Sequence, residues 1–203
     1  MVTMFGGPPG VGKTAFVMQL IVDALRHTPT LKALVANVEM PPASLLDQQL
    51  ARFSGIDLHT IRHRKLKPEH SKRVGHGLHI LADLMDRLMF LGMPFSLENV
   101  AKAGEDCEAD MIVLDYLQRF APPGEHSHKK AAVDASMELV RGMADCGVAV
   151  VVAAVGRQRD EKGGADTQGS TLRASGSRAN WSMGRTTLFS LWRRTPTTRP
   201  RSP

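Results

Sequence analysis

Apolar positions along the chain fall into short continuous runs, separated by longer stretches in which they recur every three or four residues. Val2 to Phe5 is such a run, as are "KALVANVE", "ADMIVLDYLQ" and "VAVVVAAV", and each has the length of a buried strand. Between them, Lys13 to about His27 carries helical spacing through Phe16, Leu20, Ile21 and Leu25. Pro41 and Pro42 suit the first turn of a second helix, which runs through Leu45, Leu46 and Leu50 to a stop near Gly55. Further helices are predicted over about 69–88, over "SLENVAKAGED" behind a Ser96 cap, and over about 130–145. Continuous apolar strands alternating with helices predict an α/β fold, a parallel sheet with helices on both faces.

Composition sets the bounds on this picture. With 203 residues and 42% hydrophobic content, one sizeable core is expected and a single domain is the default. The formal charge of +6 invites a nucleic-acid reading, but six Lys and Arg lie after Ala174, where no Asp or Glu occurs. Without them 20 basic residues face 20 acidic ones, so the body is neutral and the global charge says little about a partner. Cys107 and Cys146 have no metal or redox spacing, and no secretory signal or transmembrane-length run is present, so a reduced cytoplasmic protein away from membranes is expected. The histidines, including those of "HTIRH" at His59 and His63, show no metal-ligand pattern and read as surface residues.

The chemistry begins at Gly7, Pro8, Pro9, Gly10, Val11, Gly12, Lys13 and Thr14, a full match to GxxxxGK[ST] placed after a strand and before a helix. Backbone N–H groups freed by the glycines can wrap phosphates, Lys13 can reach the β and γ phosphates, and the Thr14 hydroxyl can serve Mg²⁺. ATP or a related nucleotide is the expected ligand. Asp115 stands at the end of the apolar strand "MIVLD", where a carboxylate can hold the water shell of Mg²⁺ beside Thr14. Glu39 closes "LVANVE", where it can polarise a water attacking the γ-phosphate, although a solvated strand terminus is the plain alternative.

Taken in order and spacing, "GGPPGVGKT", "NVEMPPASL" and "IVLDYLQRF" resemble the C-terminal ATPase domain of DnaB-type replicative helicases, members of the RecA-like P-loop NTPase class. The resemblance covers about residues 2–174. It implies Glu39 as catalytic base within Glu39-Met40-Pro41, Lys13 as a catalytic and phosphate-binding residue, and Asp115 as the Mg²⁺ residue of the Walker B motif Asp115-Tyr116-Leu117-Gln118. It also implies a homo-hexamer acting on single-stranded DNA in replication, with channel-facing loops. Candidates for those loops carry Lys129 and Lys130 after Walker B, then Arg157, Arg159, Lys162 and Arg173, and ordinary solvated loops remain the alternative. Where family members carry a polar γ-phosphate sensor, this chain has Val155 and Gly156, and nothing matches an arginine finger. A DnaB-like ATPase in recombination or loading, or a catalytically impaired nucleotide-binding fragment, therefore stays open beside the helicase motor.

The domain is expected to be N-terminally incomplete, and to end near residue 174 with its C-terminal strands missing. After Leu172-Arg173 the family pattern continues into an acidic run and another strand, whereas residues 175–203 here contain no acid. Permitted codons for Ala179 to Trp192, read from an offset frame, give ELEYGADDAFLLV, in the style of the family. Any Asn codon before Trp181 then yields Leu, and Met183 before Gly184 yields Gly. A frameshifted, disordered tail over 175–203 is the expectation, and a genuine basic tail that binds nucleic acid is the alternative.

Overall fold

Five parallel strands, β1 (Val2–Gly7), β2 (Ala33–Asn37), β3 (Leu88–Phe90), β4 (Met111–Asp115) and β5 (Ala149–Val155), form one sheet in the order β1-β5-β4-β2-β3. The computed structural model describes residues 1–125 and 128–155, apart from the side chains of Lys129 and Val155. Expectations for Gly156, Arg157, Arg159, Lys162, Arg173 and the tail from residue 175 lie outside the described residues.

Alternation along the strands explains the layers. Leu34, Ala36, Ile112, Leu114, Val150 and Val152 point to one face, where α5 (Leu97–Asp106) and α6 (Lys129–Asp145) cover them with Leu97, Val100, Val140 and Met143. Ala33, Val35, Met111, Val113 and Val151 point to the other, beneath α1 (Lys13–His27) and the start of α2 (Pro42–Ser54). Both faces of β2 and β4 are thereby buried, as the unbroken apolar runs predict. Each fully buried Leu or Ile here contributes about 1.5–3 kcal/mol relative to an exposed one.

Helix ends follow local chemistry. Ser96 accepts from the Asn99 N–H at 3.1 Å, the cap expected for α5, and Gly55 ends α2 in a left-handed conformation with φ 61°. The stretch expected as one helix over about 69–88 is divided. It begins with a single 3₁₀ turn, Pro68–His70, continues as α4 (Ser71–Ala82), and closes in tight turns before β3. After those turns the Arg87 guanidinium donates to the carbonyls of Leu25, in the last turn of α1, and of Thr28 and Leu31 beyond it, which ties the chain at the foot of β3 to the end of α1. A short helix, α3 (Leu58–Arg62), is absent from the sequence reading, although Asp57 caps it by accepting from the His59 and Thr60 N–H groups. Helices α3 and α4 pack outside α2 through a small cluster of Leu50, Ile56, Ile61 and Leu81.

Candidate functional site

Because the strands are parallel and in register, their carboxyl ends meet along one edge. Asn37 pairs with Asp115, Asp115 with Ala153, and Gly7 with Val155, so the loop after β1 and the acids after β2 and β4 come to a common edge. Open parallel sheets bind ligands at this edge.

The loop after β1 turns through Gly10 (φ 79°) and Gly12 (φ 86°), a left-handed backbone that a side chain would strain, and α1 starts directly behind it. Gly7 is also close-set, since a Cβ there would lie 3.2 Å from Val11 Cγ2. Lys13 Nζ donates to the Gly7 and Pro8 carbonyls at 2.9 and 2.8 Å, which holds the ammonium over the loop. The first N–H groups of α1 and this ammonium can bind phosphate oxygens.

Behind the loop, the Thr14 hydroxyl donates to Asp115 Oδ2 at 2.6 Å, joining residues the sequence holds 101 positions apart. The Asn37 amide donates to the same oxygen at 2.7 Å. Its own Oδ1 accepts from the Glu39 and Met40 N–H groups at 2.9 and 2.7 Å. One buried side chain therefore fixes the Asp115 carboxylate and the backbone that carries Glu39. Burial pushes the Asp115 carboxyl up from its ordinary value; the Thr14 hydrogen bond opposes this, the nearby charge of Glu39 adds to it, and that of Lys13 lowers it. Both charges thus act at Asp115. A carboxylate and a hydroxyl so placed can hold a hydrated Mg²⁺.

Sequence reasoning finds Lys13, Thr14, Glu39 and Asp115 and misses Asn37. The signal is available: a polar residue inside an otherwise apolar strand needs a partner when buried. Arg119 is also missed. Its Nε donates to the Tyr116 hydroxyl at 2.7 Å, and this bond, with charge from Glu39 among the smaller causes, raises its pKa. Lys130 is exposed in the first turn of α6, whose N-terminal end adds positive potential, and Lys129 starts that helix. Among the described residues no group of three or more His, Cys, Asp or Glu converges to hold a metal, and no helix is long and apolar enough to cross a membrane.

The family model of the DnaB-like helicase C terminal domain matches residues 1–180. Among solved structures, one described as an ATPase domain superposes with a TM-score of 0.67 at 13% identity, over 76% of this chain and 56% of that one. "The Structure Of A DnaB-Like Replicative Helicase And Its Interactions With Primase" superposes with a TM-score of 0.66 at 14% identity, over 76% of this chain and 38% of that one. At such identities the likeness establishes the fold, and the chain spans 56% and 38% of the two lengths. A search of curated protein sequences gave no match. The chain belongs to the DnaB-like helicase C-terminal domain family.

Proposed function

We propose that this member of the DnaB-like helicase family is the ATP-binding and ATP-hydrolysing motor domain of a replicative helicase, acting with Mg²⁺ on single-stranded DNA as a homo-hexamer in the cytoplasm. The observation that carries the reading is the hydrogen-bond chain Thr14–Asp115–Asn37–Glu39, set against a glycine loop at the end of a parallel sheet. In this reading Gly7 to Thr14 cradle the phosphates, and Lys13 neutralises charge on the β and γ groups. Thr14 and Asp115 would hold Mg²⁺, which would supply Lewis-acid stabilisation of charge on the phosphate oxygens. Glu39 orients the attacking water and takes its proton, and Asn37 keeps that carboxylate's backbone in register with Asp115. Lys129 and Lys130 at the start of α6 are proposed to contact DNA phosphates, as are Arg157, Arg159, Lys162 and Arg173.

Phosphate release measured with Mg²⁺-ATP, with and without single-stranded DNA and alongside light scattering, tests this. DNA-stimulated turnover in a hexamer is expected. DNA-independent turnover would instead favour a DnaB-like ATPase of recombination or loading, and binding without turnover a catalytically impaired fragment. That last outcome gains weight from Val155, which the register of β5 sets beside Gly7 where a polar sensor would otherwise stand.

A further inference from the structure

The neutral charge of the body hides a strong local imbalance. Residues 58–79 carry Arg62, Arg64, Lys65, Lys67, Lys72 and Arg73, with five of the chain's eight histidines, against the single acid Glu69. Over the rest of residues 1–174 the sign is reversed, with 14 Lys and Arg against 19 Asp and Glu. The fold gathers this segment on one outboard unit, α3 and α4 over α2, and leaves all six cations exposed.

Two of the six are occupied. Arg73 donates to the Ser54 and Gly55 carbonyls at the end of α2, and Lys67 lies 3.9 Å from Glu69. Arg62, Arg64, Lys65 and Lys72 form no side-chain hydrogen bond or ion pair among the described residues. Arg64 takes a left-handed conformation with φ 55°, and the Lys65 N–H closes the turn onto Thr60 at 2.9 Å, so consecutive cations are presented on a fixed bend. Beside them the exposed His59 and His63 rings pair across one turn of α3, with centroids 4.2 Å apart.

We propose that this face is a second binding surface for single-stranded nucleic acid. Arg62, Arg64, Lys65 and Lys72 meet the phosphate backbone, and His59 and His63 offer flat faces to unstacked bases. Unpaired cations interleaved with stacking rings are the combination that single strands use. An acidic peptide would engage the cations and leave the imidazole faces idle. The surface is separate from the nucleotide site, because α2 carries the chain 13 residues, roughly 20 Å at 1.5 Å per residue, away from the Glu39 end. It stands whether or not ATP is hydrolysed.

The test is fluorescence anisotropy of the whole chain with a labelled oligodeoxythymidine, without nucleotide, across a series of salt concentrations. Combining Arg62→Glu, Lys65→Glu and Lys72→Glu is expected to weaken binding at least ~tenfold at low salt. It should also flatten the slope of log affinity against log salt by about 2, at ~0.7 per phosphate contact on a single strand. Joint His59→Ala and His63→Ala should weaken binding and leave the slope unchanged. Melting temperature and fluorescent-nucleotide binding of the triple variant verify its fold. Should it melt early, the neutral pair Lys65→Ala and Lys72→Ala carries the same test, with a slope change of about 1.4. Absence of binding by the parent chain, wild-type affinity in the charge variants, or equal displacement by polyglutamate would each overturn the proposal.

Discussion

Two regions of this molecule handle charge in opposite ways. At the carboxyl edge of the sheet, Asp115 is 4% exposed and its Oδ2 already takes two hydrogen bonds, while Asn37, 8% exposed, ties it to the next strand. On α3, α4 and the connection between them the cations stand in solvent, and four of them lack a partner among the described residues. The difference teaches what each region can do. Buried polar groups are worth the desolvation only when hydrogen-bonded, and in return they hold atoms in fixed places, as phosphate chemistry requires. Exposed, unpaired cations cost little, hold nothing in place, and suit capture of a polyanion without regard to its sequence.

Substitutions can break this contrast. The largest expected effect is at Glu39, where Glu39→Gln should cut turnover by roughly 10²–10⁴ and leave nucleotide affinity intact. Stopped-flow phosphate release with a fluorescent-nucleotide titration separates the two, and an equal loss of binding would remove Glu39 from the role of base. Lys13→Ala comes next. Losing a charge-assisted hydrogen bond worth about 1.5–3 kcal/mol should weaken nucleotide binding by roughly ten- to a hundredfold, seen in the same titration, with oligonucleotide binding by the basic face preserved.

Asn37→Ala tests whether one side chain serves both strands. It leaves the Asp115 oxygen and the Glu39 and Met40 N–H groups short of a partner, so chemical denaturation should show a loss of about 1–3 kcal/mol. Turnover should fall alongside, and unchanged turnover at full stability would remove Asn37 from the positioning role. Gly77→Leu probes the other region. Gly77 is where α4 meets α2, with a Cβ there only 2.9 Å from Leu50 Cδ1 and 3.4 Å from the Ser54 nitrogen. Overpacking should cost about 1–3 kcal/mol, and the damage should reach oligonucleotide binding before nucleotide binding. The smallest effect is expected from Ser96→Ala, which removes the cap of α5 for about 1 kcal/mol and should shift neither affinity.

Much of this architecture is legible without any coordinates. The order of β1, β2, β4 and β5, with α1, α2, α5 and α6, follows from the apolar runs and their spacing, because burial on both faces of a parallel sheet demands unbroken hydrophobic segments. The three-residue β3 and the five-residue α3 are too short to leave such a signal. The glycine loop proposed to hold phosphate is legible too, since its glycines, lysine and threonine fall within eight consecutive positions. Asp115 and Glu39 can be named as strand-end acids, but not their distance from each other or from Thr14.

What only the tertiary structure decided depends on contacts between distant segments. The strand order β1-β5-β4-β2-β3 is one such result. The bond from Asn37 to Asp115 spans 78 positions, and no local propensity signals it. The tie between the turns after α4 and the end of α1 is another, made by Arg87 on the Leu25, Thr28 and Leu31 carbonyls. Charge shows the limit most plainly. Summed over the sequence, the body is neutral; a window over residues 58–79 shows six clustered cations, and the packing of α3 and α4 outside α2 adds that all six are exposed. A sum over residues carries no positions, and an electrostatic field depends on where the charges are.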